Sequence, residues 1–144
     1  MDRFKLPGMK VLLFAFNDDL ATNPYVPHNH VENCVLYTGT HDNNTTAGWF
    51  ENEATPEVKK KLNQYLGRQV SSKNIHWELI RLAMMSVAKM VIIPMQDMLG
   101  LGGEARMNQP SVAEGNWKRR LLPDQVTPQL EWKIREITEL YGRA

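Results

Sequence analysis

One cysteine is all the thiol chemistry this sequence carries. Cys34 cannot close an intrachain disulfide, which favours a reducing compartment. Its neighbours Val35 and Leu36 suit a buried, inert thiol better than a catalytic one. An excess of charge of either sign is missing too. The net charge is +1, so charge balance implies neither a nucleic-acid footprint nor an acidic tail. The basic runs Lys59-Lys60-Lys61 and Lys118-Arg119-Arg120 have no nucleic-acid motif beside them, and the first falls in a helical pattern as a solvated face. No apolar run is long enough to span a membrane. The opening stretch MDRFKLPGMK lacks the apolar core of a signal peptide. The expectation is a soluble, cytoplasmic protein with neither a membrane nor a nucleic-acid partner.

What is there is an ordinary core composition, 42% hydrophobic and 23% charged over 144 residues, enough for one domain. Three apolar runs read as strands: Met9 to Phe16, Cys34 to Tyr37 and Met90 to Met95. Runs of this continuous kind suit parallel strands covered on both faces. Helical patterns lie between and after them. Thr55-Pro56 offers an N-cap followed by proline at the first helical position, Val58, Leu62, Tyr65 and Leu66 recur at helical spacing, and Gly67 stands at the C-terminal cap. A second helix is expected over Ile75 to Val87. A third opens at Thr127-Pro128 and carries Leu130, Ile134, Ile137 and Tyr141 on one face. The pattern is α/β, with long loops following each strand, and long loops in a compact domain are usually functional. Three parallel strands make a small sheet with two unprotected edges, whereas a complete β/α barrel needs about 250 residues and eight strands. Residues 1–144 therefore read as a single partial domain.

The polar corners follow the strands. Thr40-His41-Asp42-Asn43-Asn44 puts two titratable groups and two amides at the end of the second strand. One reading is a helix cap, since Asp and Asn accept bonds from a first turn. The other is a site, since residues at the C-terminal ends of parallel strands face the ligand. Both hold together if Asn44 or Thr45 caps while His41 and Asp42 face a substrate. A metal site built from His28, His30, His41 and Asp42 matches no established zinc spacing. After the third strand, Gly100, Gly102 and Gly103 make a close-approach loop that is not a phosphate-binding loop. Asn108-Gln109-Pro110 brings amides of the type that read hydroxyl patterns. Trp117 suits either the face of a sugar ring or half-buried packing. Phe14 and Phe16, next to Asn17, Asp18 and Asp19, suit either a carbohydrate cleft or the core.

Taken together, PGMKVLLFAF, NPYVPHN, YTGTHDNNTTAGWF, MQDMLGLGGEARMNQP and EGNW occur in the order and spacing of the amylomaltases, the 4-alpha-glucanotransferases of glycoside hydrolase family 77. The resemblance runs from Pro7 to about Arg120. It implies the C-terminal part of a (β/α)8 barrel, about its last three strands with their helices, and hence a fragment of a longer enzyme. It implies retaining transfer of alpha-1,4-glucan segments through a covalent glucosyl intermediate, with a carboxylate nucleophile and a general acid about 5–5.5 Å apart. No cofactor and no metal are implied. Asp42 matches the third carboxylate, which holds sugar hydroxyls and helps distort the ring, with His41 as its hydrogen-bonding neighbour. Asn108 matches a substrate contact. Asn17 stands where many relatives have an acid, and Arg119 replaces an aromatic after the Asn-Trp pair. No residue here matches the nucleophile or the general acid, so the isolated chain is expected to be inactive. The implied partners are alpha-1,4-glucans and maltooligosaccharides, with self-association through exposed strand edges. The alternative is a non-catalytic glucan-binding or interaction module in which Trp117, Trp49 and Tyr25 stack on sugars.

Overall fold

The computed structural model describes Phe4 and residues 6–144, so residues 1–3 and 5 of the opening decapeptide lie outside the described residues. Three strands form one parallel sheet in chain order: β1 (Gly8–Val11), β2 (Cys34–Tyr37) and β3 (Met90–Ile92). Met9 pairs with Val35 and Val35 with Met90, while Val11, Tyr37 and Ile92 align two residues further on. Side chains alternate along each strand, so these residues share one face and Cys34, Leu36 and Val91 share the other.

Among the described residues five α-helices accompany the sheet: α1 (Thr46–Asn52), α2 (Pro56–Leu66), α3 (Ile75–Met85), α4 (Met95–Met98) and α5 (Pro128–Leu140). Two of them start as their sequences dictate. The Thr55 hydroxyl accepts from the Val58 N–H and the Thr127 hydroxyl from the Leu130 N–H, each ahead of a proline. Gly67 ends α2 at φ +69°, a left-handed conformation that glycine adopts without a Cβ penalty. The main core joins Cys34 and Leu36 of the sheet to Val58 and Leu62 of α2 and to Ile75, Leu79 and Leu82 of α3. A smaller cluster of Ile80, Met84 and Ile137 seats α5 on α3.

Both outer strands are shorter than their apolar runs. β1 stops at Val11 because its partner stops at Tyr37. The chain then enters a 3-10 turn, Leu12–Phe14, that buries Leu12 and Leu13. β3 stops at Ile92 because Pro94 has no N–H to give the ladder and instead precedes α4. The helix expected to reach Val87 ends at Met85, with Ser86 extended. The expectation of cover on both faces also fails. Met9 is 58% exposed, Met90 53% and Ile92 41%, against 0% for Leu36 on the helix side.

Candidate functional site

The C-terminal ends of β2 and β3 open into a cleft of about 470 Å³ whose lining includes Thr40, His41, Asp42, Gln96, Asp97 and Arg106. The loop that carries His41 and Asp42 owes its shape to its own polar residues. The Asn43 carboxamide oxygen accepts from the Thr40 N–H and the Thr40 hydroxyl, both at 2.9 Å, closing a tight turn around the pair. Thr45, not Asn44, caps α1, its hydroxyl accepting from the Gly48 N–H at 3.1 Å. Capping and site roles thus coexist in one stretch, divided between different residues.

Asp42 is held from three directions. The Asn108 amide donates to its Oδ1 at 2.6 Å. His41 Nε2 stands 3.4 Å from the same oxygen. The Arg106 guanidinium donates to the Asp42 main-chain carbonyl at 2.7 Å. Among the described residues no donor is bonded to Oδ2, and the side chain is 51% exposed, so one carboxylate oxygen faces solvent for a ligand to use. A carboxylate so placed accepts hydroxyl protons or stabilises a nearby positive charge.

Arg106 is the hub that sequence reading passed over, although it lies inside the quoted Glu-Ala-Arg-Met-Asn block. Besides Asp42 it bonds the Asn108 carbonyl through Nε at 2.9 Å and lies 3.5 Å from Glu53. Glu53 in turn accepts from the Asn44 amide at 2.8 Å. The planar guanidinium fork serves all three contacts at once, which a lysine could not do. Behind this network, the Asn44 side chain fills a slot between two glycines. A Cβ on Gly48 would fall 2.4 Å from Asn44 Oδ1 and 2.7 Å from the Gly103 Cα, so this approach of α1 to the 102–104 turn requires glycine.

Trp117 reaches the same corner from the later loop, its ring centroid 5.1 Å from that of His41. Its backbone sits at φ +62°, a left-handed conformation rare for a bulky residue. The conformation is held by a bond from its own N–H to the Met107 carbonyl at 2.7 Å. Next to it, the Asn116 side chain ties the loop together by accepting from the Gln109 N–H at 2.8 Å and donating to the Val112 carbonyl at 2.8 Å. Strain of this kind, over-determined by neighbouring bonds, concentrates where a side chain must be aimed.

His41, Asp42, Asn108 and Trp117 therefore converge, but Phe14 and Asn17 do not join them. Phe14 packs edge-on against Tyr25 at 5.5 Å, and Asn17 is exposed, with its carbonyl facing Lys61. Trp49 is a core residue at 6% exposure and offers no stacking face. The other two histidines of the candidate metal set are occupied elsewhere. His28 bonds the Tyr65 hydroxyl, while His30 lies between Ser86 Oγ at 2.8 Å and the Tyr25 carbonyl at 2.9 Å. The carbonyl can only accept, so His30 carries its proton on Nε2. Burial lowers the His30 pKa below its usual 6.5, against the raising effect of the Tyr25 bond. Arg119 spends its guanidinium on Gln125 at 2.7 Å.

At the base of the cleft lies Asp97, 2% exposed, accepting from the Thr38 hydroxyl at 2.5 Å and from the Thr46 N–H at 2.8 Å. Burial pushes its carboxyl above the usual carboxylate range, while the bonds from Thr38 and Thr46 pull the other way.

Comparison with known proteins shows the family of the chain. The model of the glycoside hydrolase family 77 4-alpha-glucanotransferases matches residues 1–126. The 4-alpha-glucanotransferase of Synechocystis is 52% identical over 99% of the chain, and that of Thermus thermophilus 46% identical over 99%. The amylomaltase of Streptococcus agalactiae, solved in complex with acarbose, superposes with a TM-score of 0.91 at 35% identity over 99% of the chain. The chain spans 28%, 29% and 28% of those three proteins respectively. With the family model matching residues 1–126 of its 144, this chain belongs to the 4-alpha-glucanotransferase family, glycoside hydrolase family 77.

Proposed function

We propose that this chain is the C-terminal part of a catalytic β/α barrel and supplies the sugar-holding side of a 4-alpha-glucanotransferase site. The observation that carries the reading is Asp42, half exposed at the C-terminal end of a parallel strand and fixed by Asn108 through one oxygen only. In the proposed reaction a carboxylate nucleophile from elsewhere in the protein attacks the anomeric carbon, and a general acid protonates the departing oxygen. Asp42 then accepts hydroxyls of the glucose at the cleavage point and stabilises the oxocarbenium-like transition state. His41 donates to a neighbouring hydroxyl, and Trp117 lies against a ring further along the glucan. The binding of acarbose, an oligosaccharide analogue, by the Streptococcus agalactiae amylomaltase supports this substrate class.

The open sheet face also fits the reading. Met9, Met90 and Ile92 are apolar yet exposed, as barrel-interior residues are when the facing strands are missing. No residue of the chain resembles the nucleophile or the general acid, so the isolated chain transfers nothing, because catalytic groups that act as a unit fail together. The test is a disproportionation assay with maltotriose on a protein of full family length, following released glucose. Transfer is expected there, lost by two or more orders of magnitude in Asp42→Asn and absent from residues 1–144 alone. Transfer that survives Asp42→Asn would overturn the role given to Asp42.

A further inference from the structure

The structure assigns to Asp97 a positioning role: it clamps both ends of the loop that carries His41 and Asp42, so that the base of the sugar site is set by the neighbouring strand. This rests on the function proposed above. The loop leaves β2 at Thr38 and enters α1 at Thr46, and these two residues are the ones Asp97 binds. Its Oδ2 takes the Thr38 hydroxyl and its Oδ1 the Thr46 N–H, one carboxylate oxygen for each end of the loop. Thr38 and Thr46 are both 0% exposed. A buried carboxylate with apolar surroundings is costly unless donors meet it, so the clamp is held in one arrangement: moving either end strips a bond from a group that water cannot reach.

The clamp reaches across the sheet. Asp97 belongs to α4, directly after β3, while the loop belongs to β2. It fixes the roots of the loop, Asn43 fixes its turn, and Arg106 and Asn108 fix its outer side. Residues 39–45, the whole stretch between the roots, line the cleft, so a loosened root displaces the Asp42 carboxylate. Misplacement of a substrate-holding group by about 1 Å costs on the order of 10²-fold in rate. Asp97 lies at the base of the cleft with 2% exposure and both its oxygens bonded to the loop roots, so its effect passes through the loop.

This role makes a prediction that a proton-transfer or charge role does not. In Asp97→Asn the carboxamide oxygen still accepts from the Thr46 N–H, and the amide can donate to the Thr38 oxygen, so both ends stay held without charge. In Asp97→Ala both bonds are lost. The experiment measures glucan transfer and amide hydrogen exchange on a protein of full family length for both variants, with the core variant Leu62→Ala as a stability control. For Asp97→Ala we expect kcat lower by more than about 10-fold with KM changed less than about 3-fold. Exchange should quicken within residues 38–46 and stay unchanged in β1 and α2. Asp97→Asn should recover most of kcat with an unshifted pH profile. Leu62→Ala, at a comparable loss of melting temperature, should keep kcat.

Equal loss in Asp97→Asn and Asp97→Ala would overturn the clamp in favour of a charge role. Exchange that rises everywhere, or nowhere, in Asp97→Ala would overturn it in favour of a general packing role. An unmodified protein without transfer activity would instead sink the functional reading, and the exchange pattern would still decide whether Asp97 holds the loop.

Discussion

The two faces of the sheet are made from the same kinds of residue and meet opposite fates. On one, Leu36 and Cys34 are sealed beneath α2 and α3 at 0% and 1% exposure; on the other, Met9 and Met90 are more than half exposed. Both faces carry apolar residues of the kind that strands bury. The difference lies in what the chain itself provides as cover. Helices supply it on one side, and on the other Met9, Tyr37 and Ile92 line the cleft at the strand ends. Stability should therefore depend on one face of the sheet and assembly on the other.

Leu36→Ala is the largest test of that division. Removing a fully buried leucine from the helix-covered face should cost about 2–5 kcal/mol, read from urea denaturation of the chain. A cost below about 1 kcal/mol would mean the covered face is not the main source of stability. The next effect comes from His30, which lies against Ser86 on the segment leading into β2. Its folded pKa lies below 6.5, so the folded state binds fewer protons than the unfolded state as pH falls. The stability it contributes is full above about pH 6.5 and is lost on acidification through the folded value. Melting temperature should fall between pH 7.5 and pH 5, and less steeply in His30→Gln; parallel slopes would remove His30 from the account.

Met90→Lys should do least. In residues 1–144 alone it should change stability by less than about 0.5 kcal/mol, because the site already faces water. It should also reduce self-association, read by light scattering, since a lysine beside an open edge opposes strand pairing. The same substitution in a protein of full family length should cost more than about 3 kcal/mol if the rest of a barrel buries this face. Equal small effects in both would break the comparison and leave the open face without a cover.

Much of this was legible from sequence. The threonine-proline pairs announce where α2 and α5 begin because capping is local chemistry, complete within four residues. The convergence of His41, Asp42 and Asn108 follows from motif resemblance, since nothing in local spacing brings residue 108 to residue 42. Strand ends were misjudged because an apolar run does not show where its neighbour stops; Val11 ends β1 only because Tyr37 ends β2. The helix α1, Thr46–Asn52, is too short for periodicity to reveal. Its glycine, Gly48, which would count against a helix by propensity, is there for a tertiary contact. Trp49 looks like a sugar platform on paper because an aromatic residue gives no sign of which way a short helix turns. Asp97 gave no sign at all: its role exists only between two strands.

The slot that Asn44 fills between Gly48 and Gly103 has one more consequence. With no side chain on either glycine to act as a cushion, α1 comes close to the 102–104 turn with Asn44 wedged between them, and Arg106 ties the two loops together through Asp42 and Glu53. The floor of the cleft is then one braced surface and not two independent fingers. Any change in the shape of the cleft has to happen around that surface.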